Sequence, residues 1–182
     1  EGHQLDDHEI TTFVRSLLPA AGETTTRTFG SLLVLLLERP ELLERVRNDR
    51  SLVGKAIDEA VRFEPVATFK VRQAAQDLEI GGVKIPKGAM VQAIVMSANR
   101  DEDAFENADR FDIDRKEKPH LNFSTGPHLC LGHALARAEM RILAEEWLKR
   151  VPSFRPKAGA RHGFRIGTVI ALESLPVEWD VV

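Results

Sequence analysis

The chain has 182 residues, 43% hydrophobic and 29% charged, and its 25 basic and 28 acidic residues give a net charge of -3. Such a composition supplies one sizeable core, and no block of Lys and Arg marks a nucleic-acid surface. The apolar run Leu32 to Leu37 stops at Glu38 and Arg39, well short of the ~20 residues of a membrane span. The opening residues do not read as a signal peptide, and a lone cysteine forms neither an internal disulfide nor a multi-thiolate zinc site, so a reduced, cytoplasmic setting is expected.

In chain order, Asp6 or Asp7 can cap a helix whose apolar residues Ile10, Phe13, Val14, Leu17, Leu18 and Ala21 recur at helical spacing. The pattern continues through Phe29, Leu32, Leu33 and Leu36. Pro19 and the run Thr24-Thr25-Thr26 weaken this long helix, so a distortion near its middle is expected. Pro40 restarts a short helix to Val46, and a third runs from about Leu52 to Phe63, ended by Pro65. Strands are expected over Ala67 to Arg72, Leu78 to Ile80 and Ala89 to Val95, with a turn at Gly81-Gly82. Residues 97–129 read as a long loop, of the kind that is more often functional than idle. A last long helix is expected from near Cys130 to about Arg150, with Leu131, Leu135, Ala138, Ile142, Leu143 and Trp147 on its apolar stripe. Two strand-like segments, Phe164 to Ala171 and Leu175 to Val181, suggest a closing hairpin.

The densest chemical signal is Phe123-Ser124-Thr125-Gly126-Pro127-His128-Leu129-Cys130-Leu131-Gly132, which delivers the cysteine to the start of a helix. The partial positive charge and unpaired N–H groups of a helix N-terminus suit an anionic sulfur. Gly126 and Gly132 allow close approach of a flat ligand, Phe123 can pack beside the sulfur, and His128 can reach an anionic group. Without this context a single cysteine reads as buried and structural.

The pattern F-x-x-G-x-x-x-C-x-G ahead of an amphipathic helix resembles the haem-ligand loop of the cytochrome P-450 family, bacterial soluble class. The resemblance implies that Cys130 ligates the iron of haem b as a thiolate. Family members also carry A-G-x-[DE]-T-[TS] on a long helix over the haem. Here Ala20-Ala21-Gly22-Glu23-Thr24-Thr25 stands in its place, with Ala21 where the family has glycine. By resemblance Ala20 and Ala21 lie against the cofactor, and Glu23 and Thr24 relay protons; on its own, Glu-Thr-Thr reads as a solvated helix face. Glu59 and Arg62 match the family's E-x-x-R element with Arg115 as the third, structural member, although by spacing alone they form an ordinary helical ion pair. Arg72 resembles the family arginine that holds a haem propionate, together with His128. Val66, Ala67, Thr68 and Phe69, with Thr168 and Val169, fall where members line the substrate pocket.

The resemblance implies a fold that is mainly α with small β-sheets, the C-terminal portion of a single cytochrome P-450 domain over residues 1–182. The helices that precede the long one in a complete member are absent, so the chain is expected to be truncated, with the apolar faces of its first and last helices partly exposed. The implied activity is haem-dependent monooxygenation, with dioxygen, a small organic substrate and a ferredoxin-type electron donor as partners, and with neither nucleic acid nor membrane. A non-catalytic haem-binding fragment stays open as an alternative. So does a cysteine hydrolase using Cys130 with His128 or His133, which lacks a placed carboxylate and an oxyanion motif.

Overall fold

Asp6 opens the first helix by a reciprocal cap. Its carboxylate accepts from the Glu9 N–H at 2.7 Å while the Glu9 carboxylate accepts from the Asp6 N–H at 3.0 Å. The helix, α1 (Asp7–Leu37), belongs to a computed structural model that describes residues 2, 4–116, 118–151 and 153–180. It runs unbroken through both expected weak points. The hydroxyls of Thr24, Thr26 and Thr28 donate to the carbonyls of Ala20, Gly22 and Thr24 at 2.7, 3.0 and 2.8 Å. They are thus satisfied on the helix itself, and Pro19 removes only one backbone donor.

Next come α2 (Pro40–Asn48), a 3-10 turn at Arg50–Leu52, and α3 (Val53–Phe63). Leu32, Leu33 and Leu36 of α1 meet Leu43 and Val46 of α2 and Val53, Ile57 and Ala60 of α3 in one core. Met140, Ala144 and Leu148 of α5 (His133–Arg150) close it, with Phe111, Ile113 and Phe154 from loops. Each large side chain withdrawn from water there stabilises the fold by roughly 1.5–3 kcal/mol.

The helix α5 differs from expectation at its start and on its face. It begins at His133, three residues after Cys130, with Gly132 as N-cap. The residues turned inward are Met140, Ala144 and Leu148, whereas Leu131, Leu135, Ile142 and Leu143 of the expected stripe are exposed, Leu131 at 81%. The helix carries two apolar faces, and α1 and α3 cover only one of them.

Four two-stranded antiparallel sheets complete the fold, which is mainly helical with small sheets. In the first, β1 (Lys70–Gln73) pairs with β4 (Met90–Ala93). The expected strand from Ala67 starts later because Ala67 is bridged to Val169 instead, and Val95 begins a short helix, α4 (Val95–Ala98). Gly81 and Gly82, at φ 57° and 79°, join β2 (Leu78–Ile80) to β3 (Val83–Ile85), a hairpin whose second strand was not expected. The C-terminal hairpin lies elsewhere than expected: β6 (Gly163–Ile166) pairs with β7 (Ile170–Ser174). Residues 167–169 turn the chain, so Phe164 to Ala171 is not one strand. The following segment contributes β8 (Val177–Glu178), which pairs with β5 (Arg155–Pro156); the expected end at Val181 lies outside the described residues. No helix of the described residues is long and apolar enough to cross a membrane.

Candidate functional site

The segment that carries the cysteine is folded back on itself by backbone hydrogen bonds. Ser124 N–H donates to Leu121 O at 3.0 Å, Leu129 N–H to Gly126 O at 3.0 Å and Cys130 N–H to Phe123 O at 2.8 Å. Ser124 and Gly126 both adopt left-handed backbone, at φ 63° and 62°. Glycine adopts it freely, whereas for Ser124 it costs about 1–2 kcal/mol. A 3-10 turn at Gly126–His128 follows, and the chain then presents Cys130 to solvent.

The expected placement of the sulfur in the first helical turn is therefore corrected to the loop just ahead of α5. The N–H groups of Leu131 and Gly132 donate to no group among the described residues. Free donors beside an exposed thiol are what an anionic sulfur needs. A Cβ built on Gly126 or Gly132 meets nothing within 4 Å, so the space before both glycines is open.

A buried ion-pair centre supports the loop from below. Arg62 donates to both carboxylate oxygens of Glu59, at 2.8 and 2.7 Å, and Arg115 donates to Glu59 Oε1 at 3.2 Å. Arg62 also donates to the carbonyls of Asn99, Ala108 and Arg110 at 2.7, 2.9 and 3.1 Å. Asn99, fully buried, carries the link onward, since its Oδ1 accepts from the Leu121 N–H at 2.8 Å at the root of the cysteine loop. Arg137 adds a second tie: it donates to Asp58 at 2.7 Å and lies over the Phe123 ring at 4.5 Å.

Arg72 is brought to the loop by β1, its guanidinium donating to Ser124 Oγ at 3.4 Å and to Val71 O at 2.8 Å. His128 is exposed on the 3-10 turn. On α1, Ala20 and Ala21 are exposed, Thr24 is half-buried, and the Glu23 carboxylate accepts from Arg27 Nε at 3.0 Å. The residues expected to line a substrate pocket meet each other. Ile170 N–H donates to Val66 O at 2.8 Å, Thr68 N–H to Thr168 O at 3.2 Å, and Ala67 is bridged to Val169. Phe69 is half-buried beside them in sequence. His133, one of the two imidazoles considered as a base for Cys130, has its Nδ1 at 2.8 Å from the Cys130 carbonyl oxygen and so engages the backbone.

Two residues beside the cysteine loop were given no role by sequence reasoning. Asn99 was read only within Ala98-Asn99-Arg100-Asp101, a segment that resembles the family, because nothing local reveals that its carbonyl and side chain join Arg62 to Leu121. Lys70, on the same strand as Arg72, carries no motif; its alternation with Arg72 was the available signal. A cleft of about 870 Å³ also opens between Lys55 and Asp58 of α3, Lys116 and Lys118 of the loop, and the outer side of the cysteine loop at Phe123 and Gly126. Leu129 and His133, on either side of Cys130, also line it, whereas Cys130 itself and the residues of α1 do not.

The family model described as Cytochrome P450 matches residues 1–152. The chain belongs to the cytochrome P450 family. It is 40% identical over 181 residues to Cytochrome P450 107B1 of Saccharopolyspora erythraea, covering 97% of this chain and 44% of that protein. It is 37% identical over 185 residues to the Biotin biosynthesis cytochrome P450 of Bacillus subtilis, covering 99% of this chain and 46% of the relative. The crystal structure of CYP109E1 from Bacillus megaterium in complex with testosterone superposes with a TM-score of 0.95 at 33% identity, over 100% of this chain and 51% of that one. The chain thus spans about half the length of the curated P450s it matches.

The P450 family uses haem b, and the residues present fit that group. A single thiolate suffices as protein ligand only for a metal that brings its other donors with it, as iron in a porphyrin does. Among the described residues no group of three or more His, Cys, Asp or Glu side chains is gathered for a bare metal ion. The open space before Gly132 and the exposed side chains of Arg72 and His128 supply room for a ring and hydrogen-bond donors for its carboxylates.

Proposed function

We infer that residues 1–182 are the C-terminal haem-binding portion of a single-domain haem-thiolate monooxygenase, which inserts one oxygen atom from dioxygen into a small organic substrate. The observation that carries this reading is the presentation of Cys130, exposed and held by its own N–H on Phe123 O beside the unengaged donors of Leu131 and Gly132. When bound, haem b supplies the activation of dioxygen, and the protein supplies position and electrostatics.

In this reading Arg72 and His128 hold the propionates, Arg72 through a planar fork suited to carboxylate. Phe123, whose carbonyl holds the Cys130 N–H, would stand beside the sulfur. Ala20 and Ala21, small and exposed on α1, leave room on the opposite side. The Thr24 hydroxyl donates to Ala20 O, so its lone pairs are left to accept a hydrogen bond from outside the helix. The Glu23 carboxylate next to it takes protons from solvent, once released by Arg27, and hands them toward Thr24 Oγ1. Glu59, Arg62 and Arg115 act structurally, holding the loop that carries the ligand. Val66, Ala67, Thr68 and Phe69, joined to Thr168 and Val169, form one wall for the substrate. Lys55, Lys116 and Lys118 around the outer cleft suit an acidic, ferredoxin-type electron donor in the cytoplasm.

The chain loaded with haem, reduced and exposed to carbon monoxide, should show the red-shifted Soret band of a thiolate complex, and Cys130→Ser should abolish it. A nitrogen-ligated type of spectrum from the unsubstituted chain would sink the assignment. Supplied with redox partners, the chain alone should not oxidise substrate; turnover by it would refute the view that it is one portion of the enzyme.

A further inference from the structure

Lys70 and Arg72 stand two residues apart on β1, so both side chains leave the same face of the strand. Opposite them on β4 are Ala93 and Val91, neither of which offers a charge. Arg72 spends its donors on Val71 O and Ser124 Oγ, and has no carboxylate partner among the described residues. Lys70 is half-buried and makes neither ion pair nor hydrogen bond among those residues. Two cations on one face, one of them partly withdrawn from water, are unfavourable unless an anion joins them.

The anion expected there is set by what the neighbouring loop holds. Arg72 touches Ser124 of the cysteine loop, and Lys70 lies within electrostatic reach of Cys130. Burial holds the Lys70 ammonium below the ordinary lysine pKa, and the Arg72 charge lowers it as well. A haem thiolate brings three negative groups to this place, two propionates and the sulfur, whereas of the expected pair only Arg72 is a permanent cation.

We propose that Lys70 is a third cationic residue of the haem site, its ammonium gripping the propionate that Arg72 also holds, with His128 left to the other carboxylate. Lys70's role rests on the haem-thiolate reading above and adds to it a contact that no motif in the sequence carries.

Haem and haem dimethyl ester, in which both propionates are esterified, are titrated into the full chain and its Lys70→Gln variant. Haem should bind the variant about tenfold more weakly, the order expected for one charge-assisted hydrogen bond. The diester should bind both proteins alike, and Lys70→Arg should restore the haem affinity. The ferric/ferrous midpoint of the Gln variant should also move to more negative potential, because a cation that favours the added electron is gone. Equal loss for haem and diester, or no loss for haem, overturns the role of Lys70. An unsubstituted chain that takes haem without a thiolate spectrum overturns the underlying reading, and the lysine contact with it. Should Lys70→Gln not fold, Lys70→Met keeps the stem without the charge and is read in the same way.

Discussion

The two halves of α1 carry the same helical spacing of apolar residues and meet opposite fates. From Thr25 to Leu36 the helix is packed against α3, α5 and β7, with Leu32 only 2% exposed. From Ile10 to Leu18 the equivalent residues face water, Leu18 at 70%. Periodicity therefore says which face of a helix requires cover, while the cover itself comes from elsewhere in the chain or from another one. A bare apolar stripe of this length is either covered by a partner element or becomes a site of aggregation.

Several substitutions sharpen that contrast. The most damaging should be Arg62→Ala, on the helix against which the packed half rests. It leaves Glu59 buried without its main partner and should cost about 3–5 kcal/mol, read as a lowered denaturation midpoint. Leu32→Ala, in the packed half, should cost about 2–5 kcal/mol because the surrounding core cannot collapse around the cavity. Away from α1, the half-buried imidazole of His120 at the outer cleft gives a smaller effect that depends on pH. Burial, helped by the Arg137 charge, holds His120 below the ordinary value of 6.5. The folded state then binds fewer protons than the unfolded one, so this stability is complete above pH 6.5 and is lost as pH falls through the lower folded value. Protonation would also remove the acceptor that Nδ1 offers the Asn122 N–H at 3.3 Å. His120→Asn should flatten the acid limb of a stability-versus-pH curve. Least of all should follow from Leu17→Ser in the bare half, a change within about 0.5 kcal/mol, accompanied by reduced self-association in sedimentation. A large loss of stability there would show that this face is covered after all.

The elements governed by local rules were legible in the sequence. Asp6 or Asp7 announced the start of α1, Pro40 that of α2, Pro65 the end of α3, and Gly81-Gly82 a turn. The cysteine loop could be read because its glycines and its ligand are consecutive. What could not be read depends on partners far along the chain. α5 has two apolar faces, and sequence alone does not say which one α1 and α3 cover. The strand at Ala67 was displaced by a bridge to Val169, about a hundred positions away. By spacing alone Glu59 and Arg62 looked like a surface pair; the resemblance marked them, with Arg115, as a structural group, and the carbonyls of a distant loop explain why their charges tolerate burial. Pro19 and the threonine run were read as weak points that distort the helix, whereas the hydroxyls turned inward to their own helix.

Arg62 ties three carbonyls, those of Asn99, Ala108 and Arg110, to a single guanidinium, and Arg115 shares that of Arg110 at 2.9 Å while adding those of Glu106 and, at 3.0 Å, Asn107. A stretch with almost no ladder of its own is in this way riveted at a few points to one carboxylate, Glu59. It cannot loosen strand by strand, as a sheet frays from its edge. Amide exchange across residues 99–115 should therefore proceed as one cooperative event, and the strap from Asn99 to Leu121 means that the same event would set the sulfur adrift.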